Sequence, residues 1–311
     1  MRVLNEENRK RFPVVLLCSL LGKTKQTYYK GFRENTLESE IRIQMAIDFA
    51  QNVRSKAKRI GAVKIWWMYK QQTLKQFRLG RDKFVLLMSQ NGLTARKRQR
   101  KPRTTDSRHN LPIYPNLVKD LIPHRPNQVW FSDMTYLPSG SSDENKFFYL
   151  SLITDGCTHQ IVGWALRRTL SAEGPLKALE TALSQLDRDS SSLIHHSDRG
   201  VQYASLKYTR ILKKNGVFPS MTENGDPKEN AVAERVNGII KNEIIGGQNL
   251  GSFPEALKKV ADAVNFYNRE RPHQSCGMLT PDEAAHCPSL LHKKWKSARE
   301  DYLKSLVSTD V

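Results

Sequence analysis

Three acids stand where carboxylates could do metal-assisted chemistry. Asp133 interrupts the apolar run "VWFSDMTYL", Asp198 follows a short apolar run in "HHSDRGVQY", and Glu234 lies in "GDPKENAVAERVNGIIKNE". A charge beside Trp130 and Phe131 is costly unless it is paired or bound to a metal. Three carboxylates gathered at one point repel and raise one another's pKa unless a hard divalent cation sits between them. Two such ions about 4 Å apart can clamp the attacking and leaving oxygens of a phosphodiester and lower the pKa of a bound water. Asp133, Asp198 and Glu234 are therefore the candidate catalytic residues and metal ligands, and no organic cofactor is implied. His195 and His196 adjoin Asp198, but neighbours on a strand point to opposite faces and do not readily share one ion. They are expected to pack or to support the site. Asp155 ends another apolar run and ranks below the three.

The elements that must carry these acids are legible in the periodicity. "QVWFSDMTYL", "FFYLSLITD" and "QIVGWALRR" read as three sequential antiparallel strands, the latter two joined by the turn-like "DGCTH". A helix over "SAEGPLKALETALSQL" with Ser171 as its cap follows, then a strand "SLIHHS", a helix "SLKYTRILKKNG" and a last strand "VFPSM". The next helix begins near Pro227 with Asp226 as cap. On it Asn230, Glu234, Asn237 and Lys241 recur at i, i+4, i+7 and i+11, with Val232, Val236 and Ile239 opposite. That spacing predicts buried valines and an outward stripe of one carboxylate, two amides and a lysine.

The first part of the chain is of another kind. Residues 1–127 hold 28 Lys and Arg against 9 Asp and Glu, whereas residues 128–311 hold 22 against 22, so the whole excess of +19 lies in the first part. Such a split marks a domain boundary and points to a polyanionic partner. Two short helical pieces flank Gly22, and Leu37, Ile41, Met45 and Phe49 form a helical stripe. "AVKIWWMYKQQTLKQF" and "RDKFVLLMSQNGL" then outline helix, glycine turn, helix, closing on Gly92. That is the outline of a helix-turn-helix, and equally of any small helical bundle. The block from Arg96 to Arg103, with Arg96, Lys97, Arg98, Arg100, Lys101 and Arg103, is a linker that serves as a solvated tether, a phosphate-gripping strap, or both. Four scattered cysteines without a CxxC pair argue against a disulfide framework and a zinc knuckle. No apolar run approaches the roughly 20 residues of a membrane helix, and no signal-peptide layout opens the chain, so a cytoplasmic, nucleoid-associated protein is expected.

The stretches quoted around the three acids, the 35 residues between Asp198 and Glu234, and "FYNRERPHQSCGMLTPDEA" closely resemble the integrase-core transposases of bacterial insertion sequences, relatives of retroviral integrases. The resemblance covers about residues 40–285. It implies an α/β, ribonuclease H-like core with a mixed five-stranded sheet, preceded by a small helical domain, and a DDE site of Asp133, Asp198 and Glu234. It implies cleavage at element ends with Mg²⁺, Mn²⁺ being the alternative, and joining of the freed 3′ hydroxyl to target DNA. Lys241 resembles the family lysine that meets DNA near the site, and Asn230 and Asn237 on its stripe are further candidate DNA contacts. Tyr267, Asn268, Arg271, Pro272 and His273 resemble a C-terminal signature that is structural or touches DNA.

The expected organisation is a helical DNA-binding region over 1–93, a basic linker over 94–126, a catalytic core over 127–286 and a helical tail over 287–311. In that tail Leu291, Trp295, Ala298 and Tyr302 share a stripe. Expected partners are double-stranded DNA, as element ends and target, further copies of the chain, and an upstream-frame protein fused to or paired with it. "KRIGAVKIWW" departs from the family pattern, and the zinc-binding His/His/Cys/Cys domain of the retroviral relatives is missing. Two rivals remain: a catalytically silent DNA-binding relic or regulator, and a nuclease acting on RNA in hybrids.

Overall fold

A computed structural model of the protein describes residues 13–33, 37–95, 111–119, 121–140, 146–186, 192–223 and 227–287. The basic block Arg96–Arg103, the Asp226 cap and the tail stripe lie outside the described residues. The chain divides into two compact units. One is drawn from residues up to Asn52 together with Tyr69–Leu93, the other from Val53–Met68 together with Thr94 onward. Residues 53–68 thus cluster with the second unit, although composition assigns them to the first.

The helices α1 (Val14–Leu20), α2 (Lys25–Arg33), α3 (Leu37–Lys56), α4 (Ala62–Gln72) and α5 (Arg81–Gln90) follow the expected order. α5 stops because Gly92 takes φ +66°, which lets Leu93 N–H reach back to the Met88 carbonyl at 2.8 Å. α3 differs from its pattern: Ile41 and Met45 are exposed, whereas Ala46 and Ala50 are fully buried. The larger side chains defined the apparent stripe, but small residues line the face that packs. Tyr69 is buried against the rings of Phe49 and Phe84 and donates its hydroxyl to the Phe77 carbonyl.

The second unit is built on a five-stranded sheet in the order β3-β2-β1-β4-β5, with β1 (Val129–Pro138), β2 (Phe147–Asp155), β3 (Ile161–Arg167), β4 (Ile194–Ser197) and β5 (Phe218–Met221). β1, β2 and β3 pair antiparallel; β4 runs parallel to β1 and β5 parallel to β4. The parallel pairs need crossovers. α6 (Glu173–Leu183) supplies one between β3 and β4, and α8 (Leu206–Lys214), preceded by the short α7 (Val201–Ala204), supplies the other. This mixed sheet with helices is the ribonuclease H-like architecture.

One face of the sheet is filled by Trp130, Ile153, Leu179, Tyr208 and Leu212, and Val129, Phe131, Val118 and Ala233 cluster apart from them. Alternation along β1 puts its even and odd residues into these separate clusters. Gly163 is glycine because a Cβ there would run into the Ala178 carbonyl and the Ala182 methyl, so α6 lies directly on β3. Ser171 does not cap α6: the helix starts after Ala172, itself in helical conformation and without a side-chain cap bond. Ser205 does cap α8, its hydroxyl accepting from the Tyr208 N–H.

Candidate active site

Two of the three acids are delivered by sheet register. Ser132 on β1 is paired with Ser197 on β4. Asp133 and Asp198 are the next residues on these neighbouring parallel strands, so they leave the same end of the sheet. The pairs before them fix the faces: Phe131 and His196 are register partners with rings 5.6 Å apart, whereas Trp130 and His195 belong to the other face. Both acids are half-buried. Asp133 Oδ1 accepts from the Met134 N–H, and Asp198 Oδ1 accepts from the Gly200 N–H at 3.0 Å. Tyr203 is buried in the cluster that holds Trp130. Its hydroxyl is held well above the ordinary phenol pKa by burial, then by Tyr208, then by the charges of Asp133 and Asp198.

The third acid comes from a composite helix. A 3-10 turn over Pro227–Asn230 leads into α9 (Ala231–Gly238), which continues as a π-helix over Ile239–Ile244. The amide stripe of this helix faces the sheet, not solvent. Asn230 Nδ2 donates to the Ser132 carbonyl at 3.0 Å, and Asn237 Nδ2 donates to Asp133 Oδ2 at 2.9 Å. Both asparagines are buried, as are Val236 and Ile239 on the predicted apolar side, so α9 is packed on two sides. The expectation of an outward stripe therefore fails, because Ala233 between the amides is small enough to let the helix settle on Phe131 and Val129. Glu234 is half-buried, four residues after Asn230 and three before Asn237, on the turn those amides hold. The Oδ1 atoms of Asn230 and Asn237 are buried without a hydrogen-bond partner. Among the described residues, Asp133, Asp198 and Glu234 do not have ligand atoms gathered as closely as a metal-holding group would; the two amide oxygens are further neutral donors of the kind a hard divalent cation takes.

Lys241, in the π-helix, holds its ammonium 3.9 Å from the centre of the exposed Tyr136 ring, three residues along β1 from Asp133. Two residues further on, Glu243 organises an ion-pair cluster that sequence reading missed. It takes a two-pronged contact from the buried Arg271 guanidinium at 2.9 and 3.1 Å and a third contact from Lys64 at 3.2 Å. Burial alone would raise the Glu243 carboxyl, but the hydrogen bonds and charges of Arg271 and Lys64 outweigh it and hold the group below its ordinary pKa. The neighbouring main chain is also tied: the N–H groups of Lys58 and Arg59 donate to the Ile244 and Glu243 carbonyls. Neither the 179-residue separation of Lys64 from Glu243 nor a π-turn has a sequence pattern that would reveal this cluster; the arginine in "RERPH" is its one visible sign.

The remaining candidates are placed as follows. His195 and His196 are packing residues: His195 Nε2 meets the Tyr208 hydroxyl and His196 Nδ1 the Ser220 hydroxyl, each at 2.9 Å. Burial, then the neighbouring His196, pulls His195 down to about 3. Asp155 is level with Trp130, away from Asp133, and its carboxylate accepts from the main chain of Asn127, Cys157 and Thr158 to shape the β2–β3 turn. Tyr267, Asn268, Arg271 and His273 hold internal structure: the Tyr267 hydroxyl donates to the His159 carbonyl, and the Asn268 amide bonds both main-chain groups of Ile161. None of the four cysteines is in a disulfide. No helix among the described residues is long and apolar enough to cross a membrane.

Known proteins resemble this chain. Two models of the integrase core domain match residues 123–227 and 215–281. The transposase for insertion sequence element IS629 of Shigella sonnei is 31% identical over 299 residues, covering 91% of this chain and 95% of the relative. The putative transposase for IS986/IS6110 of Mycobacterium tuberculosis is 30% identical over 229 residues, covering 72% and 80%. Among solved structures, the HTLV-2 integrase catalytic core domain in complex with magnesium covers 52% of this chain and 98% of its own, at 18% identity and a TM-score of 0.41. The chain belongs to the integrase-core transposases of insertion sequences. It is a transposase of the polynucleotidyl transferase type.

Proposed function

We propose that the acidic end of the sheet hydrolyses a phosphodiester at the ends of an insertion sequence and then directs the freed 3′ hydroxyl onto a target duplex. The observation that carries this reading is the register that sets Asp133 beside Asp198, with the Glu234 helix held to the same strand through Asn230 and Asn237. Asp133, Asp198 and Glu234 would hold two divalent ions, Mg²⁺ or Mn²⁺. Such ions, when bound, neutralise charge on the phosphodiester oxygens and lower the pKa of an attacking water or hydroxyl.

The protein's own groups do the rest. The Met134 and Gly200 N–H groups and the Asn237 amide fix the orientation of the two strand carboxylates before any ligand arrives. Lys241, resting on Tyr136, places a cation where a phosphate next to the scissile bond would pass. The basic residues Arg96, Lys97, Arg98, Arg100, Lys101 and Arg103 and the helices before them would grip double-stranded DNA through its backbone, with strong salt dependence. Work on two element ends calls for further copies of the chain, and for an upstream-frame partner where the element makes one. DNA as substrate places the protein in the bacterial cytoplasm at the nucleoid.

The test uses labelled duplex bearing the element end, with Mg²⁺ or Mn²⁺. Wild type is expected to nick and join, and Asp198→Asn to bind the duplex but do neither. Equal activity of the two refutes the metal assignment. Binding by wild type without nicking under either ion would leave a silent DNA-binding protein instead.

A further inference from the structure

A second cluster of ligating side chains lies apart from the acids. The turn between β2 and β3 carries Cys157 and His159, spaced Cys-x-His, and the turn after α10 (Phe253–Arg269) carries His273 and Cys276, spaced His-x-x-Cys. Folding brings the two turns together. Ligand atoms of His159, His273 and Cys276 all lie within 4.8 Å of one another. The two imidazoles are stacked, with centres 4.5 Å apart and planes 17° from parallel. His159 is held at φ +58°, a left-handed conformation uncommon for a residue other than glycine, which aims its ring across the gap. His273 is 6% exposed, and its Nδ1 is buried with no hydrogen-bond partner.

We propose that His159, His273 and Cys276 form a zinc site that staples the C-terminal turn to the β2–β3 turn. The donor set decides the metal. Two imidazoles and a thiolate suit a borderline-soft ion with tetrahedral preference and exclude the hard cations expected at a carboxylate site. Zinc bound at about 2.0–2.1 Å to nitrogen and about 2.3 Å to sulfur sets its ligand atoms roughly 3.3–3.6 Å apart. Binding must draw ligand atoms that now lie within 4.8 Å of one another to that spacing and turn the stacked rings so that a nitrogen of each faces the ion. Cys276 now directs its thiol at the Thr158 carbonyl, and binding exchanges that hydrogen bond for the metal as the thiol proton leaves to solvent. The orphaned His273 nitrogen gains the partner it lacks. This site is independent of the transposition chemistry, since all its ligands lie on turns away from Asp133 and Asp198.

The test is a titration of the reduced full-length protein with Co²⁺ as the spectroscopic probe, followed by displacement with Zn²⁺. One equivalent of Co²⁺ is expected to give a thiolate-to-metal charge-transfer band that Zn²⁺ removes, and zinc is expected to raise the melting temperature. Cys276→Ser should abolish the band, His159→Gln should weaken binding at least tenfold, and Asp133→Asn should leave the band intact. If Cys276→Ser fails to fold, the wild-type spectrum and the partly exposed His159→Gln still decide. A wild type that binds no equivalent with a thiolate band, a band that survives Cys276→Ser, or protein isolated chiefly with a Cys157–Cys276 disulfide overturns the proposal.

Discussion

The Asn237 amide donates to Asp133 over 2.9 Å, pinning the helix of one candidate acid to the strand of another. Removing this amide leaves every proposed ligand in place but frees the Asp133 carboxylate to rotate. Asn237→Ala is expected to lower cleavage and joining about 10–100-fold, the usual cost of losing a group that orients a metal ligand. Higher Mg²⁺ should recover part of the loss, which a metal titration of the nicking rate will show. Full activity in Asn237→Ala would mean that Asp133 is held by its strand alone.

Lys241 is expected to act on the DNA backbone. Lys241→Ala should weaken binding of end-bearing duplex by a similar factor for any flanking sequence and reduce the slope of log affinity against log salt by about 1. Filter binding at several salt concentrations measures both. Tyr136→Ala, which removes the ring under the ammonium, should weaken binding less than loss of the charge itself.

Glu243 neutralises a guanidinium that is only 2% exposed. Glu243→Gln would leave Arg271 buried without its counter-charge, at an expected cost of about 3–5 kcal/mol in urea unfolding. Adding Arg271→Met should recover part of that loss. The pH sign follows from the depressed Glu243 pKa: the stabilisation is complete above the unfolded carboxylate value of about 4.3 and is lost as pH falls through the lower folded value.

His195 predicts an acid limb of different origin. It is neutral when folded, with its pKa pulled to about 3, whereas the unfolded residue titrates near 6.5. Its contribution is therefore complete above about pH 6.5 and declines as pH falls toward 3, with a slope of about 1.4 kcal/mol per unit. His195→Gln should flatten the dependence of stability on pH over that range, as followed by urea melts between pH 4 and 7.

The strand order, and the arrival of Asp133 and Asp198 at one end of the sheet, were legible because each rests on a local signal. Asp133 is a charge in an apolar run, Asp198 closes a strand, and alternation places both on one face. The helix after β5 was legible as a helix but not in its orientation. Asn230 and Asn237 look like solvent-facing amides until the Ser132 carbonyl and Asp133 are known to lie beneath them. The same limit hid the alanine face of α3, where Ala46 and Ala50 give a weaker periodic signal than Ile41 and Met45. The Glu243 cluster joins residues 64, 243 and 271, and no window of sequence contains all three. The Cys-x-His and His-x-x-Cys spacings carry no such signal, because neither has the CxxC form and the two turns are far apart along the chain.

The attachment of residues 53–68 to the catalytic unit bears on how this protein can be shortened. A fragment begun at residue 127, where the charge balance changes, would discard Lys64 and the two main-chain donors that meet Glu243 and Ile244. Its π-helix would then carry two uncapped carbonyls, and Glu243 would face Arg271 alone. An autonomous catalytic fragment must therefore keep the 53–68 segment, supplied as a separate peptide or spliced back by a shortened tether.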